Sequence, residues 1–167
     1  MRVVVSDTSA LIDLERGDLL EVAFRLPLQF CVPDLLYERE LADNIGPSLC
    51  GFGLRIETLS ATATARAQTL WHQRRALSLP DCFAFTLAEE QGWTLLTGDR
   101  ALRAAAEAEK IQCHGFFWLF DQLVAGSVMP HESLVGSLDK LSSHPRCRLP
   151  AKETTTRLKL LREKTTK

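Results

Sequence analysis

Short apolar runs along the chain alternate with longer segments in which apolar residues recur every three or four positions. Runs rich in β-branched residues are typical of buried strands, and the three- or four-residue period is typical of helices. The pattern predicts five strands, at residues 3–7, 29–32, 55–59, 93–97 and 111–114. It predicts helices directly after residue 7 and at residues 18–26, 34–42, 60–76, 78–91, 100–109, 116–124, 132–141 and 152–163.

The alternation of strands and helices predicts the α/β fold class with a mainly parallel sheet. Because crossovers between parallel strands are right-handed, we expect a three-layer α/β/α sandwich around a central, mainly parallel twisted sheet. The first and fourth strands should lie side by side in this sheet. The glycines and proline of residues 46–53 predict a loop, and Gly92 predicts the end of the helix before it.

The net charge of -1 conceals an uneven distribution of charge along the chain. Residues 1–139 carry 11 Lys and Arg against 19 Asp and Glu, whereas residues 140–167 carry 9 against 2. We therefore divide the chain into an α/β domain at residues 1–142 and a basic linker with a tail helix at residues 143–167. A basic tail is suited to nucleic acid or an acidic partner, but it can equally be a solvated, frayed terminus.

Several sequence features bear on the cellular compartment. No apolar run approaches the ~18 residues that a membrane span needs, and the first residues lack the pattern of a signal peptide. The five cysteines are scattered and form no CxxC pair, which favours reduced thiols over disulfides or a zinc site. We therefore expect a cytoplasmic protein that has no membrane partner.

Four acidic residues are predicted at equivalent ends of the alternating elements. Asp7 ends the first strand and Asp99 follows the fourth, so the two should face each other across neighbouring strands. Glu38 lies in the helix after the second strand, and Asp81 lies in the first turn of the helix at residues 78–91. Clustered carboxylates repel one another unless a cation neutralises them, and hard cations prefer oxygen ligands. The set therefore indicates a Mg²⁺ or Mn²⁺ site that activates water for displacement at phosphorus.

Each of these acids also has a purely structural interpretation. The first and the last aspartate can each cap the helix that follows, and Ser78 with Asp81 matches a capping box. Glu38 can face solvent, and Glu40 is close enough in sequence to take its place. Capping explains any one of the four acids more easily than it explains all four together.

Several sequence blocks resemble the motifs of PIN domains, in that family's order and spacing over residues 2–125. These blocks are VVVSDTSALIDL, VPDLLYERE, LSLPDCFAFTLAEEQG and LLTGDRALRAAA, and HGFFWLFDQLVAGSV resembles the helix that ends many bacterial members. The resemblance extends to the VapC-type toxins of bacterial toxin–antitoxin pairs. It implies a Mg²⁺- or Mn²⁺-dependent endoribonuclease that cleaves RNA, forms a homodimer and pairs with a small antitoxin protein.

The resemblance also implies roles for individual residues. By position, the family's catalytic and metal-binding acids correspond to Asp7, Glu38, Asp81 and Asp99, and its supporting hydroxyl residues correspond to Ser9 and Thr97. Many members carry a further acid soon after the last aspartate, where this chain has arginines, so the number of metal ions stays open. Apart from the resemblance, Arg74, Arg75, Arg100 and Arg103 are candidates for contacts with RNA phosphates, and a solvated helix face is an equal alternative for each of them.

Two other classes of protein remain as alternatives. A phosphatase of the haloacid dehalogenase type also begins with a strand and an aspartate, but it needs a second aspartate two positions later. This chain has Ser9 at that position, which argues against a phosphatase. A PIN-like scaffold that binds RNA or protein without cleavage is the other alternative, and the presence of all four acids argues against it.

Overall fold

The computed structural model describes residues 1–166. Its strands are β1 (Arg2–Ser6), β2 (Leu28–Pro33), β3 (Arg55–Glu57), β4 (Thr94–Leu96) and β5 (Cys113–His114). Within these residues they form one sheet in the order β3-β2-β1-β4-β5, and every neighbouring pair is parallel. β1 therefore lies between β2 and β4, which confirms that the first and fourth predicted strands are neighbours.

Helices connect the strands and continue beyond the last one. Those before β4 are α1 (Thr8–Arg16), α2 (Leu20–Ala23), α3 (Asp34–Leu36), α4 (Gly46–Phe52), α5 (Ala61–Gln73) and α6 (Leu79–Gln91). Those after β4 are α7 (Arg100–Ala108), α8 (Phe116–Ala125), α9 (His131–Ser142) and α10 (Ala151–Thr165). A single π-helical turn at Tyr37–Leu41 continues α3.

Helices cover the central sheet on both faces. Consecutive residues of a strand point to opposite faces, so a strand with one face in water alternates buried and exposed side chains. In β1 the consecutive residues Val4, Val5 and Ser6 are all fully buried, and Thr94 to Leu96 of β4 are buried as well. This burial on both faces confirms the three-layer α/β/α sandwich expected from the sequence.

The prediction of a loop at residues 46–53 is wrong, because most of this segment forms α4. Pro47 lies in the first turn of the helix, where its missing N–H costs nothing. Leu49 is buried in the core, and Gly53 ends the helix in the left-handed conformation. Burial of one apolar side chain therefore outweighs the low helix propensity of the glycines, which the sequence pattern alone does not reveal.

Two other predicted helices differ from the structure in length. The helix predicted at residues 18–26 is reduced to α2, which has a single turn. The helix predicted at residues 34–42 begins as α3 and changes into the π turn, in which the Ala42 N–H donates to the Tyr37 carbonyl at 2.8 Å. Pi turns of this kind are often found at functional sites.

The basic C-terminal segment packs against the helices that precede it. The Arg157 guanidinium donates to both carboxylate oxygens of Asp121 at 2.8 and 2.7 Å and lies 4.3 Å from the centroid of the Phe117 ring. Arg162 donates to Asp139 at 2.9 Å, and Leu161 is only 3% exposed. The predicted boundary after residue 142 coincides with the end of α9 and stays a prediction about domain organisation. No helix within residues 1–166 is long and apolar enough to cross a bilayer.

Candidate active site

Asp7 lies at the carboxyl end of the central strand and caps α1. Its own N–H donates to the Leu96 carbonyl at 3.0 Å, which extends the pairing of β1 with β4 by one residue. Its Oδ1 accepts from the Ala10 N–H at 3.0 Å, and its side chain is almost entirely buried. The strand pairing and the helix start therefore fix this carboxylate in place on both sides.

Two hydroxyl groups connect Asp7 to the loop that follows β4. The Thr97 hydroxyl donates to Asp7 Oδ2 and accepts from the Asp99 N–H at 2.9 Å. The Ser9 hydroxyl lies 2.8 Å from each Asp7 carboxylate oxygen and accepts from the Gly98 N–H at 2.9 Å. The structure thus brings Asp7, Ser9, Thr97 and Asp99 together.

Asp99 itself caps α7, because its Oδ1 accepts from the Leu102 N–H at 2.8 Å. Gly98 is suited to the turn that precedes Asp99. A Cβ added at position 98 would lie 3.2 Å from the Ser9 hydroxyl oxygen and 3.4 Å from Asp13 Oδ2. The absence of a side chain at Gly98 therefore allows the loop to approach α1 closely.

Burial is the main cause of a raised pKa at Asp7. Removal from water, with a smaller contribution from the negative charge of Asp81, raises the pKa of Asp7 to a net value of about 6. Hydrogen bonds from Thr97, Ala10 and Ser9 oppose this effect because they stabilise the charged form. The described part of the chain places no Lys or Arg in an ion pair with Asp7. Asp7 is thus a buried acid without a cationic partner.

Asp81 lies close enough to Asp7 for its charge to act on it, and it also has a structural role. The Ser78 hydroxyl accepts from the Asp81 N–H at 3.1 Å, and Asp81 Oδ2 accepts from the Ser78 N–H at 2.9 Å. These two hydrogen bonds confirm the capping box predicted from the sequence. One carboxylate oxygen of Asp81 is used in the cap, which leaves Oδ1 available for a ligand.

The π turn gives the two candidate glutamates different surroundings. Glu40 is half-buried and accepts a hydrogen bond from the hydroxyl of Thr8, the residue that directly follows Asp7. Glu38 is exposed on the same turn. The sequence left both glutamates open, and the contact between Thr8 and Glu40 depends on helix geometry that residue spacing does not show.

The four candidate arginines divide into two pairs. Arg100 and Arg103 line a cavity of about 540 Å³ next to Gly98, and Arg103 Nη2 donates to the Thr97 carbonyl at 3.2 Å. Arg74 lies 3.9 Å from the Glu109 carboxylate, and Arg75 is exposed. Arg74 and Arg75 do not line the cavities beside Asp99.

Sequence reasoning missed other residues near these acids. Asp13 lies in α1 one turn after Ser9 and lines a smaller cleft together with Ser9 and Asp99. Its spacing of four residues from Ser9 was a signal that could have found it, because such residues share one helix face. Arg146 and Arg148 line the same cleft, and no local pattern in the sequence indicates their position.

The donor chemistry at this edge fits a hard divalent cation. The candidate ligands are all carboxylates, and Asp7 is a buried carboxylate whose only charged neighbour identified above is another acid. Among residues 1–166, however, no three Asp, Glu, His or Cys side chains converge as a metal-binding group. The residues therefore supply the right kind of ligand, but their side chains are not arranged as a closed coordination shell.

Fold and site together define an α/β protein with an acidic site where the parallel strands end. A model of the family DUF3368, described as a PIN domain, matches residues 3–163. The chain therefore belongs to the PIN-domain family, and the resemblance inferred from the sequence blocks is confirmed. The family indicates a nuclease-type fold whose members typically use divalent metal ions. No curated protein matches the chain.

Proposed function

We propose that the protein is a Mg²⁺- or Mn²⁺-dependent endoribonuclease that cleaves RNA phosphodiester bonds at the acidic edge of its sheet. The observation that carries the proposal is the buried Asp7, which two hydroxyl groups connect to the loop bearing Asp99. Asp81 lies near enough to act on the charge of Asp7. Neighbouring carboxylates repel one another, and a cation that binds them offsets this repulsion.

Asp7, Asp81 and Asp99 are the proposed ligands of the metal, which when bound would activate water and stabilise the charge that develops on the phosphate. The Ser9 and Thr97 hydroxyl groups hold the Asp7 carboxylate in one orientation through the contacts described above. For the fourth acid we now favour Glu40 over Glu38, because Glu40 contacts the residue next to Asp7 whereas Glu38 is exposed. This choice replaces the one made from residue spacing.

As a finer proposal, we suggest that the protein is the toxin of a type II toxin–antitoxin pair, that it acts as a homodimer and that a small antitoxin binds it. The support is the resemblance of its sequence blocks to VapC-type toxins. A short neighbouring gene that encodes a DNA-binding protein would support this assignment if that protein copurifies with this chain. A chain that is monomeric and binds no product of a neighbouring gene would contradict it.

Cleavage of a labelled single-stranded RNA by the purified full-length protein tests the nuclease. We expect products with Mg²⁺ or Mn²⁺ and none with EDTA. Asp7→Asn should remove activity by orders of magnitude and keep the fold, because Asn caps helices about as well as Asp. Asp43→Asn is the matched control, since Asp43 is an exposed acid outside the site, and it should cleave at the wild-type rate.

The second candidate function is a PIN-like scaffold that binds RNA or protein without cleavage. It is favoured by the absence of three converging ligand side chains within residues 1–166. The same assay separates the two functions. Metal-independent cleavage, or full activity in Asp7→Asn, contradicts the proposed site, and binding of RNA with no cleavage under any metal supports the scaffold.

A further inference from the structure

The linker between α9 and α10 forms one wall of a cleft that reaches the acidic edge. The smaller part of this cleft, about 230 Å³, is lined by Ser9, Asp13, Asp99, Arg146 and Arg148. It adjoins the 540 Å³ cavity beside α7, because both are lined by Asp13, Gly98 and Arg148. We call this combined space the linker cleft. A ligand that lies along it reaches Asp99 at one end.

The charges of the linker cleft favour an anionic ligand. Several of its charged side chains neutralise one another, since Arg16 lies 3.9 Å from Asp13 and Arg157 pairs with Asp121 and Glu153. The arginines of the cleft that have no salt bridge among residues 1–166 are Arg100, Arg103, Arg146 and Arg148. Asp99 is an acid of the cleft without such a partner, so the unpaired charge of the cleft is positive.

The aromatic side chains of the cleft are already engaged within the protein. His114 stacks on Trp118 with ring centroids 4.4 Å apart, and the Arg2 guanidinium lies over the same indole at 5.8 Å. Phe117 is covered by Arg157. Stacking of bases on these rings would require the existing contacts to break. The cleft therefore offers charges for a phosphate backbone and little for the recognition of bases.

We propose that single-stranded RNA runs along the linker cleft, with its phosphates bound by Arg146 and Arg148 of the linker and by Arg100 at the start of α7. This inference rests on the proposed nuclease and names the part of the chain that binds its substrate. It also revises the role expected for the basic tail. Arg157 and Arg162 of α10 are occupied by Asp121 and Asp139, so α10 fixes the position of the linker and the linker binds RNA.

Salt-dependent binding tests this assignment without cleavage. The probe is fluorescent oligo(U), and the protein is the full-length Asp7→Asn variant with Mg²⁺, with or without Arg146→Gln and Arg148→Gln. Each phosphate contact with a single strand adds about 0.7 to the slope of log affinity against log salt, so two lost contacts should reduce this slope by about 1.4. If affinities converge near 1 M salt, the same change weakens binding about 25-fold at 0.1 M.

Lys159→Gln with Lys164→Gln is the matched control, because it removes the same charge from exposed positions of α10 outside the linker cleft. It should leave the salt slope at the value of the parent variant. An equal loss in both double variants would overturn the inference in favour of a general effect of net charge. Binding of polyglutamate as tight as that of oligo(U) would overturn it in favour of an acidic protein partner.

Cleavage by the chain with native Asp7 distinguishes a failure of this inference from a failure of the nuclease. One outcome is that the chain with native Asp7 cleaves RNA but Arg146→Gln with Arg148→Gln leaves the affinity for oligo(U) unchanged. This outcome contradicts only the proposal for the linker cleft. RNA that is bound through the linker but never cleaved contradicts the nuclease and leaves the cleft supported. A wild-type chain that binds no RNA contradicts both.

Discussion

A hydrogen bond from Arg103 to the Thr97 carbonyl supports the loop that follows β4, and a double-mutant cycle with Gly115 can measure its strength. Arg103 Nη2 donates to the Thr97 carbonyl at 3.2 Å, and a Cβ added at Gly115 would overlap this nitrogen. Gly115 has φ -112°, which any residue adopts, so the backbone tolerates alanine here. Gly115→Ala should therefore act by displacing the Arg103 side chain.

The expected magnitude follows from three contributions to the free energy of unfolding. A hydrogen bond from a charged donor contributes about 1.5–3 kcal/mol, and we take about 1.5 because Arg103 is only half-buried. Alanine in place of glycine at the N-cap of α8 costs about 0.5–1 kcal/mol. The lower conformational entropy of the unfolded chain stabilises the alanine variant by about 0.4–1 kcal/mol. The last two nearly cancel, so Gly115→Ala should destabilise the protein by about 1.5 kcal/mol.

Urea unfolding of four chains measures the coupling: wild type, Gly115→Ala, Arg103→Ala and the double variant. Since the capping and entropy contributions are the same in both backgrounds, the cycle isolates the displaced hydrogen bond. In the Arg103→Ala background, Gly115→Ala should be nearly neutral. An equal destabilisation in both backgrounds would refute the reasoning, because the effect would then not involve Arg103.

The remaining predictions concern the acids of the candidate site. Glu40→Gln should reduce RNA cleavage by orders of magnitude, whereas the matched Glu38→Gln should cleave at close to the wild-type rate; the reverse ranking in the cleavage assay would restore the choice made from spacing. In thermal melts, the free energies of unfolding of Asp81→Glu and Asp81→Asn should lie within ~1 kcal/mol of the wild-type value, because both side chains can still accept the hydrogen bond from the Ser78 N–H. Their rates of cleavage with titrated Mg²⁺ should fall sharply. Full activity in both Asp81 variants would leave that residue a role in capping alone.

Local features of the fold could be predicted from the sequence because they depend on residues close in the chain. The capping box of Ser78 and Asp81 involves residues three positions apart. The run Val3 to Val5 indicates a buried strand without any knowledge of its neighbours. The adjacency of β1 and β4 was also predicted, because the rules for parallel α/β sheets leave few topologies.

The features that were missed depend on contacts between distant residues. Gly46 begins α4, and its backbone packs closely against the π turn. A Cβ added at this position would lie 2.6 Å from the Leu41 carbonyl oxygen. The π turn in turn brings Glu40 to Thr8, which lies 32 positions earlier in the chain. Arg146 and Arg148 reach the acidic edge only because α9 and α10 pack together. None of these arrangements leaves a periodic pattern in the sequence.

The hydrogen bond between Thr97 and Asp7 joins residues 90 positions apart, and this separation has a consequence for biosynthesis. Contacts between distant residues form late in folding, since the loop between them must close first. Asp7 emerges from the ribosome early in synthesis. Its hydrogen-bond partner Thr97 follows β4 and emerges much later. Until then, the cluster of acids is incomplete. A nascent chain that has not yet released β4 therefore lacks the complete acidic site of the proposed nuclease.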